Sequence, residues 1–145
     1  MKLTISQAVR IYAALQSLDQ YTKVFKNADG VETPVSVPFN WTPDTRWAIF
    51  GNIRILAPID EDFKKLSDAE VKQRSGGKPS LKQSDDPALF QELVDNVNKI
   101  AGKEVEVQLA ELPEAEFKNQ PVPFSVLAAL APILRGAEGR YTVAK

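Results

Sequence analysis

Apolar residues recur every three or four positions over residues 4–20, where Ile5, Ala8, Val9, Tyr12, Leu15 and Leu18 fall on one side of a helix and Thr4 or Ser6 can cap its free amides. The period then shortens. Residues 21–26 and 31–39 are rich in β-branched and aromatic side chains and are separated by Asn27, Ala28, Asp29 and Gly30. That spacing predicts a hairpin whose glycine takes the positive φ of the turn. Pro34 and Pro38 have no amide to give to a ladder, so the second strand is expected either at a sheet edge or paired only through its other residues.

Helical spacing returns at Thr42, a capping residue followed by Pro43 at the first helical position and by Asp44, whose charge suits an amino end. It continues to about Arg74. Pro58 lacks the donor for the carbonyl of Arg54, so the expectation is a kink or a division into two successive helices. Residues 75–80, with Gly76 and Gly77, read as a loop. Asp86 and Pro87 repeat the cap-and-proline opening for a helix that turns Phe90, Leu93, Val94, Val97 and Ile100 inward before Gly102. Residues 104–109 alternate strictly, giving a half-buried strand with Val105, Val107 and Leu109 on one face that can join the hairpin. After a proline-punctuated loop, residues 123–134 form an apolar helix interrupted near Pro132, and residues 136–145 read as a loose tail. The order αββααβα predicts an α+β fold: a small three-stranded antiparallel sheet packed with about five helices in a single domain over residues 1–145.

Composition narrows the function classes. With 145 residues, 43% of them hydrophobic, the chain can bury a core without disulfides or metals. A formal charge of −1 lacks the basic excess of a domain that grips nucleic acid through its overall charge. No cysteine and no histidine are present, which removes thiolate catalysis, the usual zinc sites and the commonest general base. The reading is therefore a non-enzymatic protein with no catalytic residue, no metal ligand and no cofactor. Met1 leads into Lys2, Leu3 and Thr4 without an apolar targeting segment, and no run approaches the roughly 18 apolar residues of a membrane span. A cytoplasmic protein without membrane association is expected.

The charged side chains divide into two groups. Asp60, Glu61 and Asp62 resemble a metal or acid/base cluster, but Asp60, Glu61, Asp68 and Glu70 each have a base four residues later, at Lys64, Lys65, Lys72 and Arg74. That pattern predicts a solvated helix face. Arg46 and Arg54 have no carboxylate three or four residues away. On a helical wheel Arg46 falls in the arc of Ile49, Phe50, Ile53, Leu56 and Ala57, and Arg54 lies between Phe50 and Trp47, so the helix reads as central and apolar nearly all round. Guanidinium groups held against such surface need partners, either acids such as Glu104, Glu106 or Glu111 or a bound anion. In the second case Arg46 and Arg54 would fork onto phosphate or carboxylate oxygens while Trp41, Trp47 and Tyr12 offer rings to a nucleotide-like ligand. Residues 75–80 lack the spacing of a phosphate loop, and Ser6 and Ser125 have no histidine to activate them. Between Phe124 and Leu134 Ser125 is the lone polar side chain, so this stretch either packs in the core or forms a contact in a homo-oligomer or with a partner.

The segments "AVRIYAALQSLDQY", "PFNWTPDTRWAIFGNIRILAPIDEDF", "EVEVQLAEL" and "PVPFSVLAALAPIL", in that order, resemble a group of small, mostly uncharacterised proteins encoded in tailed-phage and prophage genomes. The similarity spans most of the chain, and its motifs are structural; none is a catalytic signature. The resemblance implies a phage origin and carries over no binding residues. Small non-enzymatic phage proteins commonly serve the virion or interfere with host defence. The expectation is a counter-defence protein that sequesters a small anionic signal or binds a host protein as a homo-oligomer. A virion structural or assembly protein is the alternative, with the apolar carboxy-terminal helix and the hairpin supplying subunit contacts.

Overall fold

The structure, a computed structural model, describes residues 1–135. The tail expected over residues 136–145 lies outside the described residues. In chain order the elements are β1 (Lys2–Thr4), α1 (Ile5–Gln16), β2 (Gln20–Lys26), β3 (Glu32–Pro38), α2 (Pro43–Ser75), α3 (Pro87–Ala101), β4 (Glu104–Glu106), β5 (Leu112–Pro113), α4 (Glu114–Lys118), α5 (Phe124–Leu130), a 3-10 turn (Ala131–Ile133) and β6 (Leu134–Arg135). The described residues mix helix and strand, with five helices and small sheets, consistent with an α+β class. Two compact units make up the chain: Met1–Arg10 with Arg54–Gln108, and Ile11–Ile53 with the residues from Leu109 onward.

In the first unit β1 pairs antiparallel with β4, setting Leu3 opposite Val105. The pairing continues at both ends, where Ile5 N–H donates to the Lys103 carbonyl at 2.8 Å and Val107 N–H to that of Met1 at 3.0 Å. Leu3 and Val107 are buried beneath it. A reciprocal cap opens α1: Gln7 N–H donates to Thr4 Oγ1 at 3.1 Å, and Thr4 N–H to Gln7 Oε1 at 2.9 Å. Asp86 caps α3 by accepting from Leu89 N–H at 3.1 Å, with Pro87 behind it as expected. Leu93 is buried on α3, whereas Phe90, Val94, Val97 and Ile100 are half-buried.

In the second unit β2 and β3 form the expected hairpin, paired from Gln20↔Pro38 to Lys26↔Glu32. Gly30 has φ 79°, and the Asn27 side-chain oxygen accepts from the amides of Asp29 and Val31, each at 2.9 Å. Tyr21, Phe39, Trp41 and Phe117 touch in series, with centroid separations of 4.9, 5.4 and 4.5 Å. β5 and β6 pair in parallel, Leu112 opposite Leu134, over the fully buried Phe117, Leu130 and Ile133. The interruption expected near Pro132 is the 3-10 turn.

Several expectations differ from the structure. The sheet is not three-stranded: the described residues hold three two-stranded sheets, and β4 pairs with β1 instead of joining the hairpin. Residues 2–4 are an alternating triplet short enough to escape periodicity, yet they supply both ladder edge and apolar partner for Val105. α2 runs unbroken through Pro58 instead of dividing. A proline removes one amide donor, and Pro58 stands on the exposed side of the helix, away from the buried stripe that holds α2. Residues expected as loop form the short helix α4.

The face of α2 is also not what the wheel suggests. Thr45, Ile49, Asn52, Leu56 and Asp60 are the buried stripe, while Arg46, Trp47, Phe50, Arg54 and Ile55 are exposed. A wheel gives angles but not which arc finds cover, and large apolar side chains remain uncovered here. The expected ion pairs at Asp60–Lys64 (2.8 Å), Glu61–Lys65 (3.1 Å) and Glu70–Arg74 are present. They do not form one solvated face, because Asp60 and the Arg74 side chain are buried. Burial opposes the charge on Arg74, but hydrogen bonds and charge from Glu70 and from Glu92 on α3 outweigh it and hold the guanidinium above its ordinary pKa.

Candidate functional site

The second unit contains a cavity of about 550 Å³, a size suited to a small ligand. Its apolar wall is Leu15 and Leu18 at the end of α1, Pro38 and Phe39 at the foot of the hairpin, Trp41, and Ile49, Phe50 and Ile53 on α2. Its polar lining is Gln16, Asp19 and Arg46.

Each wall has a local cause. α1 stops at Gln16, and the turn behind it is held by Ser17 Oγ donating to the Ala14 carbonyl at 2.6 Å. Leu18 is thereby carried into the core while Asp19 stays at the surface. Phe39 N–H donates to the Asp19 carbonyl at 3.2 Å, tying the return of the hairpin to this turn. Trp41 Nε1 donates to the Leu18 carbonyl at 2.8 Å, so the indole is buried without an unpaired donor. The start of α2 is held by Glu116 of α4, whose carboxylate accepts from Thr42 N–H and Oγ1 and from Thr45 Oγ1. Two turns further on, Asn52 donates from Nδ2 to the Ala110 carbonyl at 2.9 Å and accepts Ala110 N–H at 2.7 Å. These contacts set the rotation of α2 within this unit, and that rotation puts Arg46 on the cavity wall.

Of the residues expected to bind a ligand, the cavity brings Arg46 and Trp41 together. Trp41 offers little free ring surface, since Phe39 stacks on it at 5.4 Å with planes 24° apart and Phe117 lies 4.5 Å away. Tyr12 stands one step behind the wall: its hydroxyl accepts from Gln16 Nε2 at 3.0 Å and so orients a lining amide. Trp47 is 75% exposed, outside the lining, and lies against Phe50 at 6.2 Å. Arg54 belongs to the first unit and does not line this cavity. Two of the three acids expected as partners are engaged otherwise, Glu106 with the amino terminus at 2.8 Å and Glu111 with Arg135 at 2.8 Å. Among the described residues no ion pair involves the Arg46 guanidinium.

Sequence reasoning missed Gln16, Asp19 and Phe39. Helical spacing puts Asp19 in the last turn of a helix, and only its place between an apolar helix and an apolar hairpin hints that it borders a pocket. The arrangement presents one cation, one carboxylate and one oriented amide around an apolar slot, which can hold a ring system and pair with charged ends. Among the described residues no cluster of acids is placed to hold a metal ion, and no helix is long and apolar enough to cross a membrane. Comparison with family models, curated proteins and solved structures finds no match.

Proposed function

We propose that this protein is a non-enzymatic binding module that takes a small ligand with a flat apolar body and an anionic group, such as a nucleotide, in the cavity beside Arg46. The observation that carries this reading is a guanidinium that, among the described residues, has no ion pair and stands on the wall of a mostly apolar cavity. In water such a group is stable alone; beside an apolar slot it adds affinity and direction for a ligand whose charge would otherwise be lost on entry. In the phage setting suggested by the resemblance of its segments, the role is counter-defence by sequestration of a nucleotide-like signal.

Native mass spectrometry of protein purified gently from cells tests the proposal. An anionic small molecule retained by the native species and lost on Arg46→Ala supports it; a native species that takes up no added nucleotide at millimolar concentration overturns it.

A second reading, contact with another protein in a virion or on a host factor, is favoured by a different feature. Val24, Phe25, Val31 and Val35 of the hairpin are exposed large apolar side chains, as is Phe124 at the start of α5. Copurification with assembled particles supports that role, and loss of the association on Phe25→Ser assigns it to the hairpin.

A further inference from the structure

We infer that the cavity selects guanine over adenine nucleotides, with Asp19 reading the base and Arg46 the phosphate. This rests on the anion-binding role proposed above and adds to it the chemistry of the rest of the ligand.

Asp19 and Arg46 both line the cavity, and among the described residues neither side chain takes part in an ion pair. A cavity meant for a simple anion has no use for a carboxylate on its wall, because like charge repels the ligand. A carboxylate becomes an advantage when the ligand also carries donors. Guanine presents its ring N1–H and its exocyclic amine side by side, a pair that matches the two oxygens of one carboxylate. Adenine presents a ring acceptor at the same edge, which sets lone pair against lone pair. The exposed side chain of Phe50 suits the face of a purine, with Phe39 and Ile49 closing the apolar floor behind it. Gln16, with Nε2 engaged by Tyr12, keeps its amide oxygen as a further acceptor for the exocyclic amine. The opposite signs of Asp19 and Arg46 thus match a ligand with donors at one end and a phosphate at the other. A free mononucleotide fits better than nucleic acid, since the chain is net negative and offers no run of cations to a phosphate backbone.

Isothermal titration of the full chain with guanosine and adenosine 5′-monophosphates, in parallel with Asp19→Asn and Arg46→Ala, decides the matter. Guanosine monophosphate should bind roughly tenfold or more tighter than adenosine monophosphate, the value of a charge-assisted hydrogen bond pair. Asp19→Asn should remove that preference by weakening the guanine nucleotide alone, and Arg46→Ala should weaken both. Equal affinities that Asp19→Asn leaves unchanged would overturn guanine selection and leave the anion site standing. No binding of either nucleotide would overturn both. A short guanine-containing RNA that outcompetes the mononucleotide would overturn the assignment to a free nucleotide. Circular dichroism of each variant confirms that the comparison is between folded proteins.

Discussion

Asn52 is the residue whose removal should be felt most for its size. It is 1% exposed and closes both hydrogen bonds of the Ala110 peptide. Asn52→Ala strips the partner from a part-buried N–H and a part-buried carbonyl of Ala110, so urea unfolding should show a loss of about 1–3 kcal/mol. Arg46→Ala is the contrasting case. With an exposed guanidinium and no ion pair among the described residues, it should leave stability within about 0.5 kcal/mol while changing ligand affinity. A large stability loss at Arg46 would return it to a structural role. The two residues also mark what a single chain discloses. Thr4 and Gln7, Asp86 and Leu89, and Asn27 with its turn are legible because their partners lie within four residues. Asn52, Glu116 and Asp19 were invisible because each acts on something brought near by folding: the Asn52 and Ala110 pairing spans 58 positions. Helical phase alone also misplaced Arg46 against the core, since angle on a wheel says nothing of cover.

At the scale of elements, two sets of prolines behave differently. In β2–β3 the bonds from Asn27 N–H to the Val31 carbonyl and from Phe39 N–H to the Asp19 carbonyl fix the odd-numbered residues as the hydrogen-bonded pairs. The even residues point their amides outward. Pro34 and Pro38 therefore occupy outward positions, cost the hairpin no ladder bond, and deny the β3 edge two donors. The edge of β2 keeps its donors at Gln20, Thr22, Val24 and Lys26. Of the two arrangements expected for these prolines, β3 shows pairing through its other residues, and the effect is to make the hairpin one-sided. Pro58 has no such outlet, because in a helix the missing amide is lost from the ladder itself. Pro58→Ala should restore that bond and raise stability by about 1–2 kcal/mol, less than the full helix-propensity difference because proline also restricts the unfolded chain. Denaturant midpoints measure it, and a decrease would show that the ring is held by packing that alanine cannot replace. The continuity of α2 was illegible since a proline signal is local, whereas the buried stripe from Thr45 to Asp60 runs past it on another side of the helix.

For the whole molecule, surface chemistry separates two activities that one sequence could carry. The side chains of Val24, Phe25 and Val35 stand on the hairpin, and none of them lines the cavity. Cross-strand pairing puts Phe25 on the same side as Lys23 and Val35, with the Lys23 ammonium 5.3 Å from the Phe25 ring centroid. An apolar strip of this kind beside an open β2 edge favours association. Sedimentation velocity over a wide concentration range should therefore show reversible self-association that weakens on Phe25→Ser and on Val35→Ser. Nucleotide affinity should be the same in those variants as in the parent, because the residues touched do not line the pocket. If affinity falls together with association, the cavity depends on the assembled state and sequestration is a property of the oligomer. If association is unaffected, the hairpin is not the self-contact, and its exposed strip is left for a partner of different sequence. Adding Pro34→Val then distinguishes backbone pairing from side-chain packing: it gives β3 the donor it lacks and should increase association only where strands pair edge to edge.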